Sequence, residues 1–383
     1  MKKRNIILIG AAAAFLVTLC IGTIITQDVD FSPDENRYLT QKPTGSIRSV
    51  LNGSFESASE EYLSDQIIGR KSWVEMKSMT EASLGISDIN GVYLCTGGRV
   101  VEKVTARDFD SRNYEKNLRR AAEFSQICRQ EGIETDVMLI PTAAYVYYDE
   151  LPDHALTFDE DRAFELAGQI LGDDFIDLRG RLKEEKEKEN FFFKTDHHWT
   201  GRGARTAASD YFAYTGRYET AKKVSNCTME KLSTDFKGTL YSKVLLKTLG
   251  TDIIETSADA RQADVKVKIE GKEYDSIYFD KYLEEKDKYA VYFGGNYAEV
   301  NIETRAAERA STAGEKLLIV KDSFANSMVP FLLDGFSEIT MVDTRFYRGD
   351  VSRLAEEYDR VLLVYSVNNF AKEKIVLTGS LLS

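Results

Sequence analysis

The first feature of the hydrophobic pattern is an uncharged stretch at residues 6–26, which follows the basic residues Lys2, Lys3 and Arg4. A helix of that length rises about 1.5 Å per residue, so it is about 30 Å long and matches the apolar thickness of a bilayer. The basic residues favour an N-terminus in the cytoplasm, with everything after residue 26 outside. Because no small-x-small cleavage site follows, the pattern favours an uncleaved signal anchor at residues 1–26 over a cleaved signal peptide.

The next segment, residues 27–87, is predicted to be a polar tether followed by an N-terminal helical region. Residues 27–43 show little apolar periodicity, whereas apolar residues between positions 54 and 84 recur at helical spacing. No later stretch equals the first in length and apolarity, so the remainder is predicted to be one water-soluble body.

From residue 88 onward, apolar strands alternate with amphipathic helices. The predicted strands lie at residues 135–140, 175–178, 289–293, 317–320, 339–342 and 361–365, and the predicted helices at 113–132, 162–171, 181–189, 201–214, 327–333 and 351–358. This alternation predicts an α/β fold for residues 88–383, with a parallel sheet covered by helices on both faces. Residues 265–301 alternate like antiparallel strands and are predicted to be an insertion or an extension of the sheet.

Ligands of such sheets bind at the carboxyl ends of the strands. Ser323, Asp343 and Asn368 each follow the end of a predicted strand. The candidate site is therefore expected at this edge of the sheet.

Composition and charge narrow the class of protein. With 43% hydrophobic and 11% aromatic residues, the chain has the means to build a full core. A formal net charge of −12 argues against nucleic-acid binding, which needs a basic face. The cysteines beyond the anchor, Cys95, Cys128 and Cys227, do not pair at metal-ligand spacing, and buried thiols are expected, with one disulfide as the alternative.

Two of the three histidines lie in one short polar segment flanked by aromatic residues. In an extended segment, Asp196 and His198 point to the same side and His197 points away. A carboxylate beside an imidazole fixes its tautomer and stabilises the imidazolium, as in a catalytic triad. The same residues could instead supply three metal ligands, although adjacent residues rarely converge on one ion. No metal or cofactor is expected.

Ser323 lies in a turn between an apolar strand and a helix. That position exposes the hydroxyl and aims the following backbone N–H groups at an oxyanion, but a simple helix N-cap is the alternative. Asn296, after two glycines, is a candidate oxyanion donor or a plain turn residue. Arg345 is a candidate for binding a sugar hydroxyl or a carboxylate, or else a surface ion-pair partner.

The tetrad from Asp196 to Trp199 is the signature for which the bacterial DHHW proteins are named. The chain resembles this family, which is similar to the alginate O-acetyltransferase proteins of the SGNH-like hydrolase superfamily. Further blocks in the expected order lie at residues 35–39, 65–70, 90–93, 140–142, 236–243 and 321–324.

The resemblance implies an SGNH-hydrolase-like sheet sandwiched by helices, with Asp196 orienting His198, His198 as general base and Ser323 as nucleophile. It also implies an oxyanion hole built from Ser323 and Asn296. Trp199, within the signature, joins Arg345 as a candidate substrate-binding residue.

The function implied is an extracytoplasmic O-acetyltransferase or acetylesterase acting on a cell-surface or secreted polysaccharide from a single-pass membrane anchor. Because acetyl-CoA stays in the cytoplasm, the resemblance implies a membrane-bound O-acyltransferase partner as acetyl donor. Two alternatives stay open: a non-catalytic glycan-binding or assembly protein of an exopolysaccharide system, and a metal-dependent hydrolase. Water and a sugar hydroxyl are both open as acceptors.

Overall fold

The computed structural model describes residues 2–32, 37–304 and 314–378. Two compact units make up the chain, one formed by residues 1–90 and 241–248 and the other by residues 91–240 and 249–383. Two residues of the first resemblance block, Glu35 and Asn36, lie outside the described residues.

The first unit is mainly helical. Its elements are α1 (Lys2–Ile25), β1 (Phe31–Ser32), β2 (Arg37–Tyr38), α2 (Ile47–Leu51), α3 (Ser54–Gln66), α4 (Arg70–Ser83) and β3 (Asp88–Ile89). Within the described residues, Lys3–Ile25 is the one helix long and apolar enough to cross a membrane, with a mean hydropathy of 2.4. The helical region predicted between positions 54 and 84 is interrupted before α4, where Gly69 adopts a left-handed φ of +73° that ends regular helix.

The second unit contains the main sheet. Its elements are β4 (Val92–Leu94), β5 (Val100–Glu102), α5 (Ser111–Gln130), β6 (Glu134–Ile140), α6 (Ala143–Val146), α7 (Glu160–Leu171), β7 (Phe175–Asp177), α8 (Arg179–Glu185), α9 (Gly201–Tyr214), α10 (Tyr218–Ser225), β8 (Met229–Phe236), α11 (Thr239–Val244, whose end belongs to the first unit), β9 (Asp252–Ser257), α12 (Ala258–Arg261), β10 (Val265–Ile269), β11 (Lys272–Tyr274), β12 (Glu299–Thr304), β13 (Lys316–Lys321), α13 (Ala325–Met328), β14 (Glu338–Val342), α14 (Val351–Ala355), β15 (Arg360–Ser366) and α15 (Val367–Lys372).

Eight strands form the sheet in the order β11-β10-β12-β14-β13-β15-β6-β7. The five strands from β14 to β7 are parallel, and β12, β10 and β11 extend the sheet in antiparallel pairing. The predicted α/β fold is confirmed, and within residues 265–301 the strands β10, β11 and the start of β12 extend the sheet, whereas Asp280–Glu284 and Lys288–Val291 are 3-10 helices.

Alternating residues of strand β13 pack into two different apolar clusters, one on each face of the sheet. Leu317 and Ile319 of β13 pack into one apolar cluster, which includes Tyr211 of α9, whereas Leu318 and Val320 pack into the other. All four strand residues are fully buried. The continuous apolar run of β13 therefore reflects helices on both faces of the sheet.

Three local predictions differ from the structure. Residues 289–293 were predicted as a strand, but Lys288–Val291 is a 3-10 helix. The helix predicted at 327–333 is α13 followed by a 3-10 turn, Val329–Phe331, because Pro330 lacks the N–H that would continue α13. The β8–β9 hairpin was not predicted, since β8 is half exposed and lacks a clear apolar face.

The cysteines of the second unit are free thiols. Cys128 is buried, and Cys95 and Cys227 are partly buried. Burial raises the pKa of the Cys95 thiol to about 12. These thiols therefore behave as small apolar side chains.

Candidate active site

The segment carrying Asp196 and His198 is a tight loop that leads into α9. Phe192 and Trp199 form an isolated antiparallel bridge, and the backbone N–H of Phe193 donates to the carbonyl of His198 at 3.2 Å. All three aromatic side chains are fully buried. The aromatic residues that flank the motif thus anchor the loop inside the protein.

Two glycines at the start of α9 permit this packing. A Cβ on Gly203 would lie 2.4 Å from the carbonyl oxygen of Phe191, and one on Gly201 would lie 1.9 Å from that of Glu255. A larger residue at Gly203 forces α9 away from the loop, and one at Gly201 forces α9 away from Glu255.

The turn carrying Ser323 follows β13 and is held by a buried carboxylate. Asp322 is fully buried, and it accepts hydrogen bonds from the Phe324 N–H at 3.0 Å, the Ser366 N–H at 2.9 Å and Asn369 Nδ2 at 2.9 Å. Asp322 therefore ties the Ser323 turn to the end of the neighbouring strand β15.

Asp196, His198 and Ser323 form a continuous hydrogen-bonded chain. His198 Nε2 lies 2.8 Å from Ser323 Oγ, and His198 Nδ1 lies 2.6 Å from Asp196 Oδ1. The second carboxylate oxygen of Asp196 accepts from the N–H of Thr239 at 2.8 Å and from its hydroxyl at 3.0 Å. The arrangement is that of a nucleophile, a base and an orienting acid.

Burial and neighbouring charges set the protonation of the pair. Burial favours neutral Asp196, but the charges of His197 and His198 and the hydrogen bonds from His198 outweigh it, so the carboxyl pKa falls below its usual range. Burial, followed by the charge of His197, lowers the pKa of His198 to about 4, against the opposing effect of Asp196. His198 is therefore neutral at pH 7 and able to accept a proton.

Tyr289 is not among the residues predicted from the sequence, yet it contacts both the base and the serine turn. Its ring stacks on His198 with centroids 3.8 Å apart and an interplanar angle of 10°. Its hydroxyl donates to the Ser323 carbonyl at 3.0 Å and lies 3.0 Å from Ser327 Oγ. Residues 289–293 were predicted to be a strand, and that prediction gave no reason to place Tyr289 beside His198.

Trp199 has no exposed surface. Its indole Nε1 donates to the Phe324 carbonyl at 3.0 Å and to Ser327 Oγ at 2.9 Å. Trp199 thus braces the serine turn from inside the protein, and its burial leaves no ring face for a substrate.

Asn296 and Arg345 lie near the turn but are held by other groups. The side-chain oxygen of Asn296 accepts from Lys321 Nζ at 2.8 Å and from Asn326 Nδ2 at 3.2 Å. Arg345 donates to both carboxylate oxygens of buried Asp343, including Nε to Oδ1 at 2.8 Å. This pairing cancels the charge that Arg345 would offer a ligand, so the ion-pair alternative describes it better.

A small cleft opens beside the three residues. Its lining side chains come mainly from the carboxyl ends of β6 and β15 and from the loops that carry His198 and Ser323: Glu102, Pro141, Thr142, Ala143, Ala144, Phe192, His197, Leu240, Phe324, Ser366, Asn368 and Asn369. The volume is about 50 Å³, which is room for a few water-sized groups at about 10–15 Å³ each. The side-chain oxygen of Asn368 is buried there and has no hydrogen-bond partner among the described residues.

The donor atoms of Asp196, His197 and His198 lie within 4.8 Å of one another. An ion between them would have to displace the 2.6 Å bond between His198 Nδ1 and Asp196 Oδ1. The atoms of Asp196 and His198 that would bind a metal are thus already hydrogen-bonded to each other. The expectation that no metal binds here stays a prediction.

Comparisons with known proteins place this geometry in context. Residues 101–286 match the family described as the SGNH hydrolase-like domain of the acetyltransferase AlgX. A DHHW family protein from Eubacterium siraeum is 23% identical and has a TM-score of 0.58, with 74% of this chain and 93% of that chain covered. PatB1 of Bacillus cereus, in a structure with a sulfonyl adduct, is 22% identical with a TM-score of 0.59, covering 74% and 96%. No curated protein matches the sequence.

The two solved structures share the fold of this chain over nearly their whole lengths. The family match falls on the segment that carries Asp196 and His198. The resemblance predicted from the sequence is confirmed: residues 101–286 are similar to the SGNH hydrolase-like domain of the acetyltransferase AlgX, and the fold is shared with a DHHW family protein.

Proposed function

We propose that the chain is an extracytoplasmic O-acetyltransferase or acetylesterase acting on a cell-surface or secreted polysaccharide, with Ser323 as nucleophile. The hydrogen-bonded chain from Ser323 through His198 to Asp196 carries the proposal. Acetyl transfer needs a serine made nucleophilic by an adjacent base, and the 2.8 Å contact between Ser323 Oγ and His198 Nε2 supplies that pairing.

The first half of the reaction acetylates the serine. Ser323 Oγ attacks the carbonyl carbon of an acetyl ester while its proton passes to His198 Nε2, and Asp196 stabilises the imidazolium. The tetrahedral intermediate collapses, His198 returns the proton to the leaving alcohol, and acetyl-Ser323 remains. In the second half a sugar hydroxyl or water attacks the acetyl group, gives its proton to His198, and Ser323 recovers a proton as it leaves.

The backbone N–H of Ser323 is one donor for the oxyanion, since no described residue accepts from it. For the second donor we prefer Asn368 to the predicted Asn296. Asn368 lines the cleft, follows the strand next to β13, and donates to none of the described residues. Asn296 has its carbonyl fixed by Lys321 and Asn326, and it is absent from the residues that line the cleft.

The setting of the reaction follows from α1 and from the comparisons. A single apolar helix at the N-terminus suits an anchor with the second unit outside the cell membrane. The acetyl group then has to arrive from a donor outside, and a membrane-bound O-acyltransferase is the partner we propose. The match to the SGNH hydrolase-like domain of the acetyltransferase AlgX supports acetyl transfer, and a polysaccharide is the substrate that we propose.

Two other functions were open from the sequence. A non-catalytic glycan-binding protein requires no contact between base and serine, so the 2.8 Å distance from His198 Nε2 to Ser323 Oγ favours the enzyme. A metal-dependent hydrolase would use the three clustered donors. Inhibition by a chelator, with activity restored by Zn²⁺, would support that alternative.

Reaction with 4-nitrophenyl acetate tests the proposal. We expect the wild type to gain one acetyl group at Ser323 by intact-mass and peptide spectrometry, and Ser323→Ala to lose both the adduct and at least 1,000-fold of the turnover, roughly the size of a triad contribution. A sulfonyl fluoride should label the same residue. Ser225→Ala is the control, since Ser225 is exposed at the end of α10 and does not line the cleft. A wild type that is folded by circular dichroism and gains neither an acetyl nor a sulfonyl group at Ser323 contradicts the serine mechanism.

A further inference from the structure

His197 is the residue of the Asp-His-His-Trp segment that the proposed triad does not use. Its ring lies 3.9 Å from the ring of His198, with an angle of 35° between the planes. Tyr289 covers His198 at 3.8 Å. At these distances the rings of Tyr289 and His197 cannot both lie against the same face of His198. The His198 ring is therefore held between them.

The hydrogen bonds of Thr239 determine which nitrogen of His197 carries the proton. Thr239 has one hydroxyl proton, and the ionised Asp196 can only accept it, at 3.0 Å from Oδ2. The Thr239 oxygen lies 2.7 Å from His197 Nδ1, so it must accept a proton from that nitrogen. The neutral ring of His197 is therefore assigned, from this network, as the Nδ1–H tautomer with a lone pair on Nε2.

This lone pair is available to a ligand. The His197 side chain is 35% exposed and lines the cleft, while its Nε2 has no partner among the described residues. The described residues that line the cleft include hydroxyls, amides and the carboxylate of Glu102, but no lysine or arginine. Such a lining suits a ligand that donates hydrogen bonds and has no carboxylate of its own.

We propose that His197 binds a second hydroxyl of the sugar acceptor, next to the hydroxyl that is acetylated. The reacting hydroxyl gives its proton to His198 Nε2, and the neighbouring hydroxyl donates to His197 Nε2. The acceptor is then an uncharged sugar unit with a vicinal diol, and His197 selects it over an isolated alcohol. This assignment rests on the proposed function, because it places the diol beside acetyl-Ser323.

Two small acceptors, trans-1,2-cyclohexanediol and cyclohexanol, provide the test. The full-length protein is charged with 4-nitrophenyl acetate, and the ratio of acetylated diol to acetylated cyclohexanol is measured by mass spectrometry. We expect the wild type to favour the diol by roughly fivefold to tenfold, the effect of one hydrogen bond. The ratio is measured within each protein, so a change in overall rate cancels.

His197→Asn is the informative variant, because the shorter amide can still donate to Thr239 but does not reach into the cleft. We expect its ratio to fall to about the value for the uncatalysed reaction, and His197→Gln, which extends an amide oxygen towards the former Nε2, to recover part of it. His154→Asn is the matched control, since His154 lies outside the cleft with a φ of +63°, which asparagine tolerates. Its ratio should equal that of the wild type.

The outcomes separate this assignment from the proposed function. An acetyl adduct on Ser323 with no diol preference, or with a preference that His197→Asn retains, contradicts the role of His197 alone. If water outcompetes both alcohols as acceptor, the reverse reaction is measured. The rate of hydrolysis of trans-2-acetoxycyclohexanol is then compared with that of cyclohexyl acetate. A folded protein that forms no adduct contradicts the serine mechanism and, with it, the acceptor site.

Discussion

The carboxylate of Asp196 is enclosed so closely that its position depends on a residue outside the signature. A Cβ on Gly238 would lie 2.2 Å from the Cβ of Asp196 and 2.3 Å from its Oδ2. The Gly238 N–H also donates to Thr195 Oγ1 at 3.1 Å, which fixes the segment against the loop. The glycine is therefore required by packing, because its φ does not lie in the left-handed region.

Gly238→Ala should reduce kcat/KM for 4-nitrophenyl acetate by about 100-fold, because a displacement of the acid by about 1 Å misaligns the base. Steady-state kinetics and the Tm are the measurements. Gly250→Ala is the control, since its added Cβ meets nothing within 4 Å. Unchanged kinetics in Gly238→Ala would show that the segment yields without moving the carboxylate.

The pH dependence of the reaction reports the environment of His198. The base works when neutral, so kcat/KM rises with pH through its pKa and then levels off. Burial and the charge of His197 lower that pKa to about 4, while Asp196 and Asp322 raise it. We expect the midpoint of the acid limb to lie below 6.5, the ordinary value for histidine.

His197→Asn removes one of the lowering effects, so its acid limb should move to higher pH, whereas His154→Asn should leave it in place. A wild-type midpoint at or above 6.5 would contradict this account of the base.

At the scale of elements, the β8–β9 hairpin holds the loop of Asp196 and His198, although no residue of the hairpin belongs to the proposed triad. Asp252, the first residue of β9, accepts from the Lys194 N–H at 2.8 Å and from the Thr195 N–H at 2.8 Å. Its second oxygen also accepts from the Thr195 hydroxyl at 2.6 Å. The hairpin therefore fixes the two residues directly before Asp196.

Asp252→Ala leaves these donors without acceptors, and we expect it to lower the free energy of unfolding by about 1–3 kcal/mol. The loss of kcat/KM should exceed that of Asp235→Ala, a control on β8 whose side chain is 70% exposed. Urea unfolding and kinetics of both variants check this. Equal effects in the two variants would mean that the hairpin does not position the loop.

The observed elements also show which parts of the fold and of the candidate site could be predicted from the sequence. Helix α9 begins at residue 201 as predicted, because Thr200 caps it, and Ser323 follows a strand whose continuous apolar run is unmistakable. The contact of Asp196, His198 and Ser323 agrees with the predicted set, while their roles await experiment. Tyr289 was missed because the apolar run that carries it was predicted to be a strand and is a 3-10 turn. Asp252 was missed because it reaches the site from a hairpin whose half-exposed strand β8 has no clear apolar face.

For the whole molecule, α1 is the element on which the proposed location outside the membrane rests. Lys3–Ile25 has the length and hydropathy of a membrane span, and a signal sequence has the same properties. We expect the intact protein to stay in the membrane pellet after alkaline extraction, with a mass that includes residues 1–26. A soluble protein whose mass begins after the apolar stretch would support the cleaved signal peptide instead. Deleting residues 2–25 should release the protein into the soluble fraction.

The distance along the chain between base and nucleophile has a consequence for biosynthesis. His198 and Ser323 are 125 residues apart, and β13 pairs with β14 and β15, which follow it in sequence. At about 5–20 residues per second, the ribosome adds the serine roughly 6 to 25 s after the histidine. The Ser323 turn is held by the hydrogen bond from the Ser366 N–H to Asp322, so it is complete only after residue 366 has been synthesised. A growing chain therefore carries His198 and Ser323 without being able to join them, and the proposed triad is assembled only in the last stage of folding.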